Sequence, residues 1–147
     1  MQYWDTSALL KLYVAEPDSS DFLQLLADTG APILTSAVTA IELQCALYRK
    51  EVAGDLKEGG ALHAFQKYQA DVTKGRIVNV PAGDDVSAAS GEIIRSAYSG
   101  RRPVMVRSLD VIHLASAVVG GSETLVATDL RLREAAKRAG FTLAPAG

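Results

Sequence analysis

The sequence lacks several features that would assign it to a class at once. Its 147 residues contain one cysteine, Cys45, so no internal disulfide can form. Cys45 lies within an apolar helical pattern, which predicts a small core residue and fits a reducing, cytoplasmic location. No basic and then apolar leader opens the chain, so we expect no secretory signal. The apolar run at 115–119 is far too short to cross a bilayer, and we expect no membrane association.

The sequence also lacks an imbalance of charge. The formal net charge is −2 at neutral pH, which neither favours nor excludes a nucleic-acid partner, because a nearly neutral protein can carry a basic rim. The apolar fraction of 48% and the charged fraction of 22% are those of an ordinary globular protein. The length suits one domain, residues 1–147, that is large enough to bury a core.

Short apolar segments alternate with helical patterns along the chain. The segments predicted as strands are 1–5, 32–35, 77–80 and 124–128, followed by an edge strand at 141–143. This alternation predicts an α/β fold in three layers. Its central sheet of four to five strands is mostly parallel and is covered by helices on both faces.

The long helix that we predict from Ser36 to about Val52 carries a charged residue on its apolar face. Its predicted core-facing residues are Val38, Ile41, Cys45 and Tyr48. Glu42 falls on or beside this stripe. It needs a partner there, because burying a bare carboxylate is costly.

Three further acids share a pattern with Glu42. Asp5 and Asp129 each end an apolar strand, and Asp110 lies, like Glu42, in the first turn or two of a helix. The carboxyl ends of parallel strands and the helix starts that follow them meet at one edge of the sheet, where these carboxylates can converge. Crowded carboxylates repel each other, and a hard divalent ion such as Mg²⁺ or Mn²⁺ removes that repulsion.

Each acid also has a purely structural explanation. Asp5 and Asp129 suit the N-cap positions of the helices that follow them. Glu42 completes a capping box with Thr39, and Asp110 suits the positive end of its helix. The residues alone therefore leave open a metal site or a non-catalytic α/β binding module. An aspartate phosphotransferase needs a second acid two residues after the strand-end Asp, and a serine stands there.

Four segments together resemble the PIN-domain ribonucleases, specifically the VapC-type toxins of type II toxin–antitoxin systems. They are residues 4–13, 39–43, 108–117 and 125–132, and their order and spacing agree over nearly the whole chain. The first and third segments, WDTSALLKLY and SLDVIHLASA, are the more specific. The resemblance implies a PIN-like fold and a metal-dependent endoribonuclease, with an inactive PIN scaffold as the alternative.

The resemblance also implies a role for individual residues. An acidic pocket for Mg²⁺ or Mn²⁺ would be lined by Asp5, Glu42, Asp110 and Asp129. Of these, Asp5 and Asp110 would be the most direct ligands. The hydroxyls that would orient carboxylates or water belong to Thr6, Ser7 and Thr128.

A water molecule is the expected nucleophile, with Glu42 as the candidate base, so the products would carry a 5′-phosphate and a 3′-hydroxyl. The chain has only two histidines, His63 and His113, which offer no pair for attack by a ribose 2′-hydroxyl. We expect His113 to form a hydrogen bond with Asp110 or with core backbone rather than to take part in catalysis.

RNA can approach an acidic pocket only where positive charge surrounds it. The candidate rim residues are Lys11, Arg101, Arg102, Arg107, Arg131 and Arg133, each of which is also explained as ordinary surface charge. The resemblance further implies a homodimer and a cognate VapB-type antitoxin. The candidate interface residues, which otherwise widen the core face, are Phe22, Leu26, Leu43 and Leu47.

Overall fold

A parallel sheet forms the centre of the molecule. The computed structural model describes residues 1–30 and 32–146, and within them the sheet has five strands in the order β3-β2-β1-β4-β5. The strands are β1 (Tyr3–Trp4), β2 (Ile33–Ser36), β3 (Ile77–Val80), β4 (Thr124–Val126) and β5 (Thr142–Ala144). Every neighbouring pair is parallel, so the predicted sheet and its edge strand are confirmed.

Helices connect the strands and cover both faces of the sheet. In the described ranges they are α1 (Thr6–Tyr13), α2 (Ser19–Thr29), α3 (Thr39–Val52), α4 (Gly60–Thr73), α5 (Asp84–Tyr98), α6 (Ser108–Val119) and α7 (Leu130–Arg138). None of the helices that the structure describes has the length and hydropathy needed to cross a membrane.

The central strand β1 divides the core into two halves. Tyr3 and Trp4 are both fully buried, and successive strand residues point to opposite faces of a sheet. Trp4 packs in one cluster with residues of α1, α2, α3 and α4, whereas Tyr3 packs in another with residues of α5, α6 and α7. The three-layer α/β fold is therefore confirmed, although Gly147, the last residue of the predicted domain, lies outside the described residues.

The face that α3 turns to the core differs from the predicted one. The helix begins at Thr39 rather than Ser36. Ile41 is 67% exposed, Tyr48 is 48% exposed and Cys45 is also exposed, so the prediction that they form the core stripe was wrong. α3 carries two apolar stripes of similar spacing, and periodicity alone does not say which of them the sheet covers.

The second apolar stripe of α3 is the one that is buried. Leu43 and Leu47 are fully buried in the cluster that contains Trp4, and Phe22 of α2 joins them there. Leu26 is half-buried against the same cluster. Of the two explanations given for these residues, the wide core face is therefore correct for Phe22, Leu43 and Leu47, because their apolar area is already removed from water within the chain.

Candidate active site

All four predicted acids line one cavity at the carboxyl edge of the sheet. The cavity has a volume of about 260 Å³ and lies between the ends of β1 and β4 and the first turns of α3 and α6. The acids that line it are Asp5, Glu42, Asp110 and Asp129. Its other polar lining residues are Thr6, Ser7, Arg49, Arg107 and His113. The convergence expected from strand ends and helix starts is thus present in the structure.

Asp5 is both the N-cap of α1 and the buried wall of the cavity. Its Oδ1 accepts the backbone N–H of Ala8 at 2.9 Å, and the Ser7 hydroxyl lies 2.7 Å from Oδ1 and 2.8 Å from Oδ2. Burial raises the pKa of Asp5 above its usual value. The capping and the site explanations are therefore compatible for this residue.

The Ser7 hydroxyl contacts a carboxylate as predicted, whereas Thr128 reaches the site through its backbone. The backbone N–H of Thr128 donates to Ser7 Oγ at 3.0 Å and so fixes the hydroxyl that Asp5 accepts. Thr128 itself lines a different cavity, together with Phe22 and Arg133. Its contact with Ser7 is made by the backbone N–H and not by the predicted hydroxyl.

Glu42 points into the cavity and has two donors. Its Oε1 accepts the Thr6 hydroxyl at 2.9 Å and lies 2.6 Å from His113 Nε2. The Thr39 hydroxyl pairs with Thr35 Oγ1 at 2.7 Å instead, so the predicted capping box was wrong. Partial burial acts to raise the pKa of Glu42, but the hydrogen bond and charge of His113 outweigh it and the pKa is lowered.

His113 belongs to a buried chain of hydrogen bonds that ends at Glu42. Its Nδ1 lies 2.7 Å from the hydroxyl of Tyr3, so the expected bond to Asp110 or to backbone was wrong. Because an ionised carboxylate only accepts, Nε2 of His113 donates to Glu42, and Nδ1 is left to pair with the Tyr3 hydroxyl. Our sequence reasoning missed Tyr3, although strand alternation places it on the same face as position 5.

Asp110 and Asp129 share one partner, Arg107. Nε of Arg107 lies 2.9 Å from Asp110 Oδ2, and Nη2 lies 3.3 Å from Asp110 Oδ1 and 3.1 Å from Asp129 Oδ2. Asp129 also caps α7, since its Oδ1 accepts the N–H groups of Arg131 and Leu132. Burial acts to raise the pKa of Asp129, but the N–H of Leu132 and the charge of Arg107 outweigh it, so its pKa is lowered.

The oxygen-rich lining fits a hard divalent cation in donor type and in location. Within residues 1–30 and 32–146, however, no three acidic, imidazole or thiol groups converge closely enough to hold an ion in this arrangement. Each acid instead contacts a partner within the chain, namely Ser7 for Asp5, His113 for Glu42, and Arg107 for Asp110 and Asp129.

Only one of the six predicted rim residues, Arg107, lines the cavity. Lys11 is bound to Glu16 at 2.6 Å and to Asp18 at 2.7 Å, and the guanidinium of Arg133 donates to backbone carbonyls such as that of Ala127. The three that are exposed outside the cavity lining are Arg101, Arg102 and Arg131. Arg49 is exposed and does line the cavity. Our sequence reasoning missed it, although it lies two helical turns after Glu42 on the same face of α3.

Comparisons with known proteins agree with this architecture. A family model described as PIN domain matches residues 3–138. Ribonuclease VapC35 from two strains of Mycobacterium tuberculosis is 32% identical over 142 residues, which cover 93% of this chain and 90% of the relative. The chain therefore belongs to the PIN-domain family. Within that family it is a relative of the VapC ribonucleases.

Two solved structures share the fold. One is the crystal structure of VapBC2 from Rickettsia felis bound to a DNA fragment from its promoter, with a TM-score of 0.64 and 18% identity over 97% of each chain. The other is FitAB bound to the IR36 DNA fragment, with a TM-score of 0.57 and 20% identity over 97% of this chain and 93% of that one. At these identities the likeness concerns the fold alone.

The hydrogen bond between Tyr3 and His113 should contribute measurably to stability. Replacing Tyr3→Phe leaves the buried Nδ1 of His113 without its hydrogen-bond partner, so we expect the free energy of unfolding in urea to fall by about 1–3 kcal/mol. Tyr13→Phe is the matched control. Its hydroxyl donates to Asp71 at 2.8 Å in a half-buried position, where water can replace it, so the loss should be smaller. A Tyr3→Phe variant as stable as wild type would contradict the bond.

Proposed function

We propose that this protein is a metal-dependent endoribonuclease that hydrolyses RNA phosphodiester bonds. The observation that carries the proposal is the cavity lined by Asp5, Glu42, Asp110 and Asp129 at the carboxyl edge of the sheet. The relationship to a ribonuclease over 93% of the chain supports the same reaction class.

In this mechanism the four carboxylates would hold Mg²⁺ or Mn²⁺. When bound, such an ion lowers the pKa of a water molecule and offsets the charge of the scissile phosphate. Ser7 fixes the orientation of Asp5 through both carboxylate oxygens. Glu42, held by Thr6 and His113, accepts the proton of the attacking water, and its lowered pKa keeps it ionised and able to do so at neutral pH.

Positive charge at the mouth of the cavity would guide RNA to these acids. Arg107 and Arg49 line the cavity and are exposed, so both can reach a phosphate that enters it. The remaining exposed arginines of the predicted rim are Arg101, Arg102 and Arg131, and their contact with RNA stays a prediction.

Substituting a cavity acid by its amide separates a ligand from a helix cap. Asn caps a helix about as well as Asp, which matters at Asp5, the N-cap of α1. At Asp5 and at Asp110, Asn is a poorer metal ligand and carries no charge. We therefore expect Asp5→Asn and Asp110→Asn to lose at least about 100-fold in Mn²⁺-dependent cleavage of end-labelled RNA. The melting temperature of Asp5→Asn in EDTA should match or exceed that of wild type, because a buried charge is gone. Asp110→Asn should melt at a lower temperature than Asp5→Asn, because it also weakens the ion pair with Arg107. The exposed Asp28→Asn is the control for the change in net charge.

The same assay tests the reaction class. Attack by water leaves a 5′-phosphate and a 3′-hydroxyl, which labelling of the fragment ends distinguishes from a 2′,3′-cyclic phosphate. Full cleavage by both amide variants, or cyclic phosphate ends, would contradict the mechanism. A wild-type protein that cleaves no RNA in Mg²⁺ or Mn²⁺ would favour the alternative, an inactive PIN scaffold or other non-catalytic α/β binding module.

We also propose that the chain acts in the cytoplasm as the toxin of a toxin–antitoxin pair, together with a VapB-type antitoxin. The fold shared with the VapBC2 complex and the identity to ribonuclease VapC35 support this partner. We propose a homodimer as well. The exposed side of α3 is the surface that suits it, because an uncovered apolar row runs along it: Ile41, Cys45, Tyr48 and Val52.

Light scattering of the purified chain should give about twice the monomer mass of 15.5 kDa. Tyr48→Lys places a charge in the middle of the exposed row and should shift the mass towards the monomer, because burying an unpaired charge is costly. Val118→Lys is the control, since Val118 is 50% exposed on α6 in the opposite layer. A monomeric wild type, or a Tyr48→Lys variant that remains a dimer, would contradict the proposal.

A further inference from the structure

The acidic cavity already contains a cation of the chain itself. Arg107 contacts both oxygens of Asp110, at 2.9 and 3.3 Å, and one oxygen of Asp129, at 3.1 Å. One guanidinium thus pairs with two of the four carboxylates that line the cavity. The other two carboxylates have different hydrogen-bond partners, the Ser7 hydroxyl for Asp5 and the His113 imidazole for Glu42.

The contact depends on the planar, forked shape of the arginine head group. Nε and Nη2 face the two oxygens of Asp110, and the same Nη2 also reaches Asp129. A lysine ammonium is a compact point charge and cannot reproduce this arrangement of parallel donors.

The side chain of Arg107 is also placed where it can move away from Asp110 and Asp129. It is the N-cap residue of α6, with φ −94° and ψ 155°, so its backbone lies outside the helix. Its side chain is 56% exposed, whereas that of Asp110 is 9% exposed. The guanidinium can therefore turn into solvent without disturbing the core, while the carboxylate beneath it stays in position.

We propose that Arg107 is a displaceable internal counter-ion, which competes with a divalent cation for Asp110 and Asp129. The guanidinium and the ion neutralise the same carboxylates and cannot both do so. Arg107 consequently lowers the affinity of the site for metal and stabilises the fold when no metal is bound. This inference rests on the proposed function, because it requires the carboxylates to form a cation site.

The experiment measures Mn²⁺ binding and stability rather than RNA cleavage. The full chain is stripped with EDTA and dialysed into about 0.15 M salt, where distant surface charges are largely screened. The free Mn²⁺ signal in electron paramagnetic resonance then gives the Kd of wild type and of Arg107→Ala. We expect the variant to bind Mn²⁺ roughly three- to tenfold more tightly. It should also melt at a lower temperature in EDTA, so that Mn²⁺ raises its melting temperature further than that of wild type.

Two controls separate competition from a general effect of charge. Arg49→Ala removes a positive charge from the same cavity, but within the described chain Arg49 makes no ion pair with the acids. We expect its Kd for Mn²⁺ to change less than about twofold. Arg107→Lys keeps the charge but not the fork, and its Kd should fall between those of wild type and Arg107→Ala.

The outcomes distinguish this inference from the proposed function. If wild type binds Mn²⁺ and Arg107→Ala binds it equally or more weakly, the competition is refuted while the cation site stands. The inference also fails if Arg49→Ala tightens binding as much as Arg107→Ala does. If Arg107→Ala does not fold, Arg107→Lys decides alone, and a Kd equal to that of wild type refutes the competition. If neither wild type nor any variant binds Mn²⁺, both proposals are wrong.

Discussion

The arrangement of the molecule depends on negative charge crowded at one edge of a parallel sheet. Because all five strands run in the same direction, the turns that follow β1 and β4 open at the same edge as the first turns of α3 and α6. Each of these four places contributes one carboxylate to a cavity of about 260 Å³. Carboxylates this close stay ionised only when donors or cations compensate them, and the surrounding side chains supply that compensation.

The compensating groups connect the cavity to the two halves of the core. Tyr3 lies in the central strand, and its hydroxyl pairs with His113 of α6, which in turn holds Glu42 of α3. This chain of hydrogen bonds runs from Tyr3 in the sheet, through His113 of α6, to Glu42 of α3. The position of Glu42 therefore depends on packing in the helix layers on both faces of the sheet. Buried polar groups of this kind are expensive unless every member is paired, and among the described side chains none is left unpaired.

The parts of the fold and site that follow local rules could be predicted from the sequence. Strand ends, turn residues and helix starts locate Asp5, Asp110 and Asp129, because a parallel sheet leaves only one edge for them. The inward face of α3 could not be predicted, since Leu43 and Leu47 compete with an equally regular row through Ile41 and the sheet decides between them. Local sequence patterns also could not predict contacts between residues that are far apart in the sequence.

His113 and Arg107 illustrate that second limit. Both lie one helical turn from Asp110, on opposite sides of it in sequence, which would suit either as its partner. In the structure Arg107 takes that place, and His113 turns to Tyr3 and Glu42, which are 110 and 71 residues away. The packing of α6 against the sheet and α5 determines which of the two meets which acid.

Anomalous diffraction from crystals grown with Mn²⁺ would show directly whether the four carboxylates form a cation site. We expect an anomalous peak inside the cavity, within coordination distance of Asp5 and Asp110, with the guanidinium of Arg107 turned away from Asp110 and Asp129. A cavity without a peak, in which Arg107 still bridges both acids at millimolar Mn²⁺, would contradict it.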